Sequence, residues 1–180
     1  GGAAAFVTAV RILKELGGLD GLTLVCTGTV LEEDCDGLCW KYLIEEHGLR
    51  PDLVISTEPT DLGVYRGQRG RMEMAVTFAG VSAHGSAPER GENAVGKAAR
   101  ACLAIEELHD RLPTDAFLGK ASVTVTDIRS TGPSLCAVPD FARLHLDRRL
   151  TVGETRETAV AEVEAVVKEL DGKVEVLQYE

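Results

Sequence analysis

The chain has 180 residues, 29 Asp and Glu against 19 Lys and Arg, and a formal net charge of −10. With 44% hydrophobic and 27% charged residues, it has the composition of a soluble globular protein that can bury a core, as one large domain or two small ones. No run approaches the ~20 apolar residues of a membrane span, and the acidic balance argues against non-specific nucleic-acid binding.

Residues 3–16 carry Val7, Val10, Leu13 and Leu16 near one helical turn apart, and Gly17-Gly18 closes the helix. Leu22 to Val30 is rich in β-branched residues and reads as a buried strand. Asp36 to His47 reads as a helix stopped by Gly48, and Asp52 to Thr57 as a second short apolar strand. This alternation predicts a piece of parallel sheet covered by helices.

The pattern then changes. Arg71 to Phe78 alternates strictly, with Met72, Met74, Val76 and Phe78 on one face, as in a strand buried on one side. A polar, Gly- and Pro-bearing loop, Ser82 to Gly91, precedes a helix from Asn93 to Leu112 stopped by Pro113. Val95, Cys102, Ile105, Leu108 and Leu112 form its expected buried stripe. Ala121 to Ile128 and Phe141 to Leu150 are two more alternating strands. Thr151 and Glu154 have the spacing of a capping box for a helix running to Leu170, which Gly172 closes. Lys173 to Tyr179 is the last strand. From residue 70 the order is β-α-β-β-α-β, a ferredoxin-like arrangement. The expected organisation is α/β over residues 1–66 followed by an α+β domain over 67–180.

Five cysteines, Cys26, Cys35, Cys39, Cys102 and Cys136, are too few and too irregular for a disulfide scaffold and suit reduced thiols in the cytoplasm. Cys35 and Cys39 could share a helix face as half a metal site, but no further His or Cys pair completes zinc-finger spacing; buried or surface thiols are the other reading. The chain starts without Met at Gly1-Gly2-Ala3 and reads as the middle of a longer protein, so a missing targeting segment is uninformative.

Glu32-Glu33 and Glu58 each follow an apolar segment at the end where ligands bind in open α/β sheets. Carboxylates gathered there repel unless a cation or shared proton compensates. Alternatively, Glu32 and Glu33, with Asp34 and Asp36, simply favour the N-terminus of the next helix. His84 sits among small residues that let a backbone approach a ligand, and is equally read as a solvated loop residue. His47 and His109 read as helix-terminus or surface residues. Arg143, His145, Asp147 and Arg149 share one strand face, as carboxylate-binding groups or as an ordinary solvated face.

In this order, several segments resemble one family. They are Gly1-Gly2-Ala3-Ala4, Glu32-Glu33-Asp34-Cys35-Asp36-Gly37, Ile55-Ser56-Thr57-Glu58-Pro59-Thr60, Gly80 to Pro88 with Gly91-Glu92-Asn93-Ala94, and Val138-Pro139-Asp140 leading to Leu146-Asp147-Arg148-Arg149. Together they are similar to the co-catalytic zinc hydrolases that include carboxypeptidase G, acetylornithine deacetylase, succinyl-diaminopimelate desuccinylase and aminoacylase. Tyr65 to Arg71 and the Ala-Pro-Glu-Arg-Gly loop resemble a branch linked to selenium metabolism.

The resemblance implies a partial α/β zinc-hydrolase catalytic domain over 1–66 and a ferredoxin-like lid and dimerisation domain over 67–180. It implies hydrolysis of an amide or peptide bond next to a free carboxylate, in an N-acyl amino acid or peptide. Two divalent metal ions serve this chemistry, zinc first, with cobalt or manganese as alternatives. Glu32 is then the general base toward metal-bound water, and Glu33 and Glu58 are metal ligands. His84 is the oxyanion donor in the partner subunit of a homodimer, and Arg149 is the substrate-carboxylate ligand.

Two departures qualify this. The family's His-x-Asp motif, bridging Asp and last His ligand have no counterpart within 1–180, so this stretch alone is expected to be inactive. Cys136 stands at a substrate-binding position where many members carry Asn. A non-catalytic dimerisation or binding module, or a metal-free relative, is the alternative.

Overall fold

A computed structural model describes residues 1–30 and 37–179. Two compact units divide the chain, Gly1–Arg66 and Gly67–Glu180, and each is described by itself.

In the first unit, α1 (Gly2–Glu15) ends as its Gly-Gly pair requires. Gly17 and Gly18 take positive φ, and the Gly18 N–H reaches back to the Leu13 carbonyl at 2.7 Å. α2 (Leu38–Glu45) closes similarly, with Leu49 N–H on the Leu43 carbonyl at 3.0 Å. Neither helix buries a residue fully.

The two expected buried strands are not formed. Residues 22–29 and 53–60 make no ladder, and Leu24, Val25, Leu53, Val54 and Ile55 are exposed. β-branched composition measures fitness for a packed pleated surface, but a strand exists only through a neighbour that pairs its N–H and C=O groups. Among the described residues, neither segment has one.

The second unit is a four-stranded antiparallel sheet with two helices packed on one face. Its strands are β1 (Gly70–Ala79), β4 (Ser122–Thr131), β5 (Phe141–Leu150) and β6 (Lys173–Tyr179), in the order β4-β5-β1-β6. The helices are α3 (Ala94–Arg111) and α4 (Arg156–Val167), so the order of these elements is β-α-β-β-α-β. Alternation places Met72, Met74, Val76 and Phe78 of β1 against Leu146, Leu144 and Ala142 of β5, all fully buried. A short hairpin, β2 (Thr114–Asp115) and β3 (Gly119–Lys120), was not apparent from periodicity. Its turn is held by Asp115 Oδ1, which accepts from the N–H groups of Phe117 and Leu118. These bonds hold the Asp115 carboxyl below its usual value.

Three local expectations are corrected. α3 buries Ala94, Ala98, Ala101, Ile105 and Leu108, whereas Val95 and Cys102 lie at the margin. Small residues let the first half of the helix approach the sheet closely, so the packed stripe there follows alanines, and Ile105 and Leu108 continue it as expected. Thr151 and Glu154 bond to each other, with Thr151 N–H on Glu154 Oε2 at 2.7 Å, but they form a turn before the helix. The cap of α4 is Thr155, paired reciprocally with Thr158. At the other end Asp171, not Gly172, has positive φ. Gly172 answers a steric demand, because a Cβ there would meet Val167 at 2.7 Å and Phe78 at 2.9 Å.

The helix-facing side of β5 also buries one charge. Arg148 is fully buried between Glu154 and Glu162, the latter at 2.9 Å, and reaches the Ser122 and Arg149 carbonyls. It ties α4 and the preceding turn to the sheet.

Candidate functional site

The loop after β1 is stitched to the segment leading into β5. Gly80 N–H donates to the Asp140 carbonyl at 2.8 Å, Val138 N–H to the Ala83 carbonyl at 2.8 Å, and Gly85 N–H to the Cys136 carbonyl at 2.7 Å. His84 and Ala137 form an isolated antiparallel bridge. Thus His84 and Cys136 are brought to the same end of the sheet, both exposed. Glycine is required by closeness here: a Cβ on Gly80 would lie 2.2 Å from the Glu92 carbonyl oxygen, and one on Gly85 2.8 Å from that of Cys136.

The base of this loop is clamped by Lys97, which is nearly buried in α3. Its Nζ reaches Glu92 Oε1 at 2.7 Å, the Ala79 carbonyl at 3.1 Å and Asp171 Oδ2 at 3.4 Å. The Glu92 bond raises the ammonium above its usual 10.5, against the opposing effect of burial. Glu92 in turn pairs its backbone with Val81, three residues before His84.

The imidazole of His84 is oriented locally. Its Nδ1 lies 2.7 Å from Ser86 Oγ and 3.2 Å from the Ser86 backbone nitrogen. Ser86 was not a candidate on sequence grounds.

Arg149 stands elsewhere. It pairs with Arg71 on β1, near the end of β5 remote from the Ala79–Phe141 pair and the His84 loop. Arg149 lies eight positions after Phe141 along β5, about 26 Å of strand at ~3.3 Å per residue. Arg149 Nε and Nη2 donate to Asp147 at 2.8 and 2.9 Å, and Nη1 has no hydrogen-bond partner among the described residues. Between the two ends, the polar face carries His145, held by Glu73 at 3.1 Å and by Thr126.

In the first unit Glu58 is exposed, with Ser56 Oγ 3.3 Å from its Oε1. Glu32, Glu33 and Cys35 lie outside the described residues. Among the described residues no three His, Cys, Asp or Glu side chains are placed to hold a metal. Glu58 alone is one carboxylate, so these residues do not by themselves form a metal centre. Cys26, Cys102 and Cys136 are in no disulfide.

A family model described as the peptidase dimerisation domain of the M20 group matches residues 66–175. The chain belongs to this family. Its match covers three strands of the sheet and the start of β6, both helices that pack on it and the His84 loop. Among relatives, the chain is 56% identical over 166 residues to the uncharacterized protein YgeY of Escherichia coli K12, covering 92% of this chain and 41% of that protein. It is 35% identical over 74 residues to acetylornithine deacetylase of Proteus mirabilis, covering 41% of this chain and 19% of that enzyme. The chain therefore spans less than half the length of these relatives. Aminopeptidase PepT of Bacillus cereus shares the fold, with a TM-score of 0.60 at 20% identity over 99% of this chain and 47% of that one. The M20 family comprises peptidases and amidohydrolases and is generally metal-dependent. No helix among the described residues is long and apolar enough to cross a membrane.

Proposed function

We propose that the whole protein containing this chain is a cytoplasmic, metal-dependent hydrolase of an amide or peptide bond next to a free carboxylate. Its active sites are assembled from two subunits. The observation that carries this reading is the placement of His84 and Cys136 at one end of a sheet whose far end holds Arg149, in a chain of the M20 peptidase family. A small substrate cannot span about 26 Å, so one subunit's sheet cannot offer both ends to it. Two copies can, with His84 and Cys136 of one and Arg149 of the other converging on one substrate.

The outer edge of β4, which has no strand partner among the described residues, supports association through residues 67–180. Ile128 of β4 and Leu103 of α3 are exposed in the same unit. In this reading Glu32 takes the proton of the attacking water, and His84 donates a hydrogen bond to the oxyanion that forms. Arg149 holds the substrate carboxylate through the N–H groups that Asp147 leaves uncommitted. Cys136, beside His84, contacts the acyl side and supplies a thiol in place of an amide. Glu33 and Glu58 each contribute a carboxylate to a divalent metal pair, zinc first, with cobalt or manganese as alternatives. When bound, that pair polarises the scissile carbonyl and activates water.

The test is metal analysis of the whole protein, with a screen of N-acyl amino acids and dipeptides. Glu32→Gln is expected to keep metal and lose about 100-fold or more of turnover, as removal of a general base does. Glu33→Gln is expected to lose metal. Equal metal loss in both variants overturns the division of roles. A wild-type protein that takes up no divalent metal and hydrolyses none of these substrates leaves the non-catalytic dimerisation module.

A further inference from the structure

The two contacts at His84 Nδ1 have a chemical consequence. A backbone N–H can only donate, so the Ser86 N–H, 3.2 Å away, requires a lone pair on Nδ1. The neutral ring then carries its proton on Nε2. With Nδ1 unprotonated, the Ser86 hydroxyl at 2.7 Å is a second donor to the same nitrogen. The Ala87 N–H also donates to the His84 carbonyl at 2.8 Å. Ring and backbone of His84 are thus held by three donors from the two residues 86 and 87.

We propose that Ser86 is a positioning residue that fixes the orientation and tautomer of His84, so that Nε2–H is the group offered to a ligand. For its bearing on catalysis this rests on His84 being the oxyanion donor; the tautomer itself does not. An oxyanion needs a donor aimed at it without reorganisation, and a ring free to exchange tautomers would present a bare acceptor part of the time. The hydroxyl and backbone of Ser86 remove that alternative before substrate arrives.

Long-range proton–nitrogen NMR correlations of the 180-residue chain read the tautomer directly, and a His84→Gln sample assigns the signal. Neutral His84 is expected as the Nε2–H form. Ser86→Ala is expected to lower the ratio of Nε2–H to Nδ1–H by roughly fivefold, the weight of one neutral hydrogen bond. Ser86→Thr should restore it, and the His145 signal should not move. A wild-type His84 protonated on Nδ1, or a ratio unchanged in Ser86→Ala, overturns the proposal. Activity of the whole protein is a separate readout, in which Ser86→Ala should lower kcat with KM nearly unchanged. If Ser86→Ala shifts the tautomer while His84→Gln turns over at the wild-type rate, the oxyanion reading fails and the positioning role of Ser86 stands.

Discussion

Residues 1–66 and 67–180 both carry segments of strand-forming composition and reach different outcomes. In the second unit, the alternating side chains of β1 meet those of β5 and are covered by α3 and α4, so Met72, Met74, Val76 and Phe78 lose all contact with water. In the first, Leu53 and Ile55 belong to a continuous apolar run, yet remain 78% and 81% exposed. The difference lies in the presence of a paired neighbour, because burial of apolar area follows only when ladder partners and a covering layer exist together.

Core truncation should separate the two units most widely. Phe78→Ala is expected to cost about 3–5 kcal/mol, whereas Leu53→Ala should stay within about 0.5 kcal/mol. Urea unfolding of the chain, followed by circular dichroism, measures both. Comparable losses in the two variants would mean that the first unit buries its apolar residues after all.

Arg148→Ala probes the polar part of the same core. Removing it leaves Glu154 nearly buried without its partner, and loss of one member of a buried pair costs about 3–5 kcal/mol. A cost below 1 kcal/mol would show that water reaches Glu154 readily.

A smaller effect, legible in pH dependence, is expected at Lys97. Its pKa is raised in the folded chain, chiefly by Glu92. The protonated form therefore favours folding, fully below the unfolded value of 10.5 and progressively less as pH rises through the higher folded value. Lys97→Met should be less stable than wild type by a constant amount from neutral pH to about pH 10, with the gap narrowing at higher pH. A gap that stays constant through that rise would show that the ion pairs contribute nothing to it.

The same contrast explains what could be read in the sequence. Strict alternation over Arg71–Phe78 and Phe141–Leu150, together with Pro113 and the β-α-β-β-α-β order, made the sheet of the second unit legible. The buried stripe of α3 was legible in part: Ile105, Leu108 and Leu112 are buried as expected, but alanines such as Ala98 and Ala101 give a weak signal in sequence and gain their place from close packing. Leu22–Val30 misled because propensity was present without a partner. At the candidate site, His84 and Cys136 were visible as residues, but their adjacency depends on bonds between loops fifty residues apart. Ser86 acquires its role only through a contact with the His84 ring. Arg149 could be placed on the polar face, and only the β1–β5 register shows its separation from His84.

The central claim is that a working site needs two copies of the chain, and complementation between inactive variants tests it most directly. Whole-protein Glu32→Gln and His84→Ala should each be nearly inactive. Mixed in equal amounts with free subunit exchange, half the dimers are mixed, and each has one site with intact Glu32 from one subunit and intact His84 from the other. The account predicts recovery of roughly a quarter of wild-type activity. Activity that stays at background while mass spectrometry shows mixed dimers would contradict it.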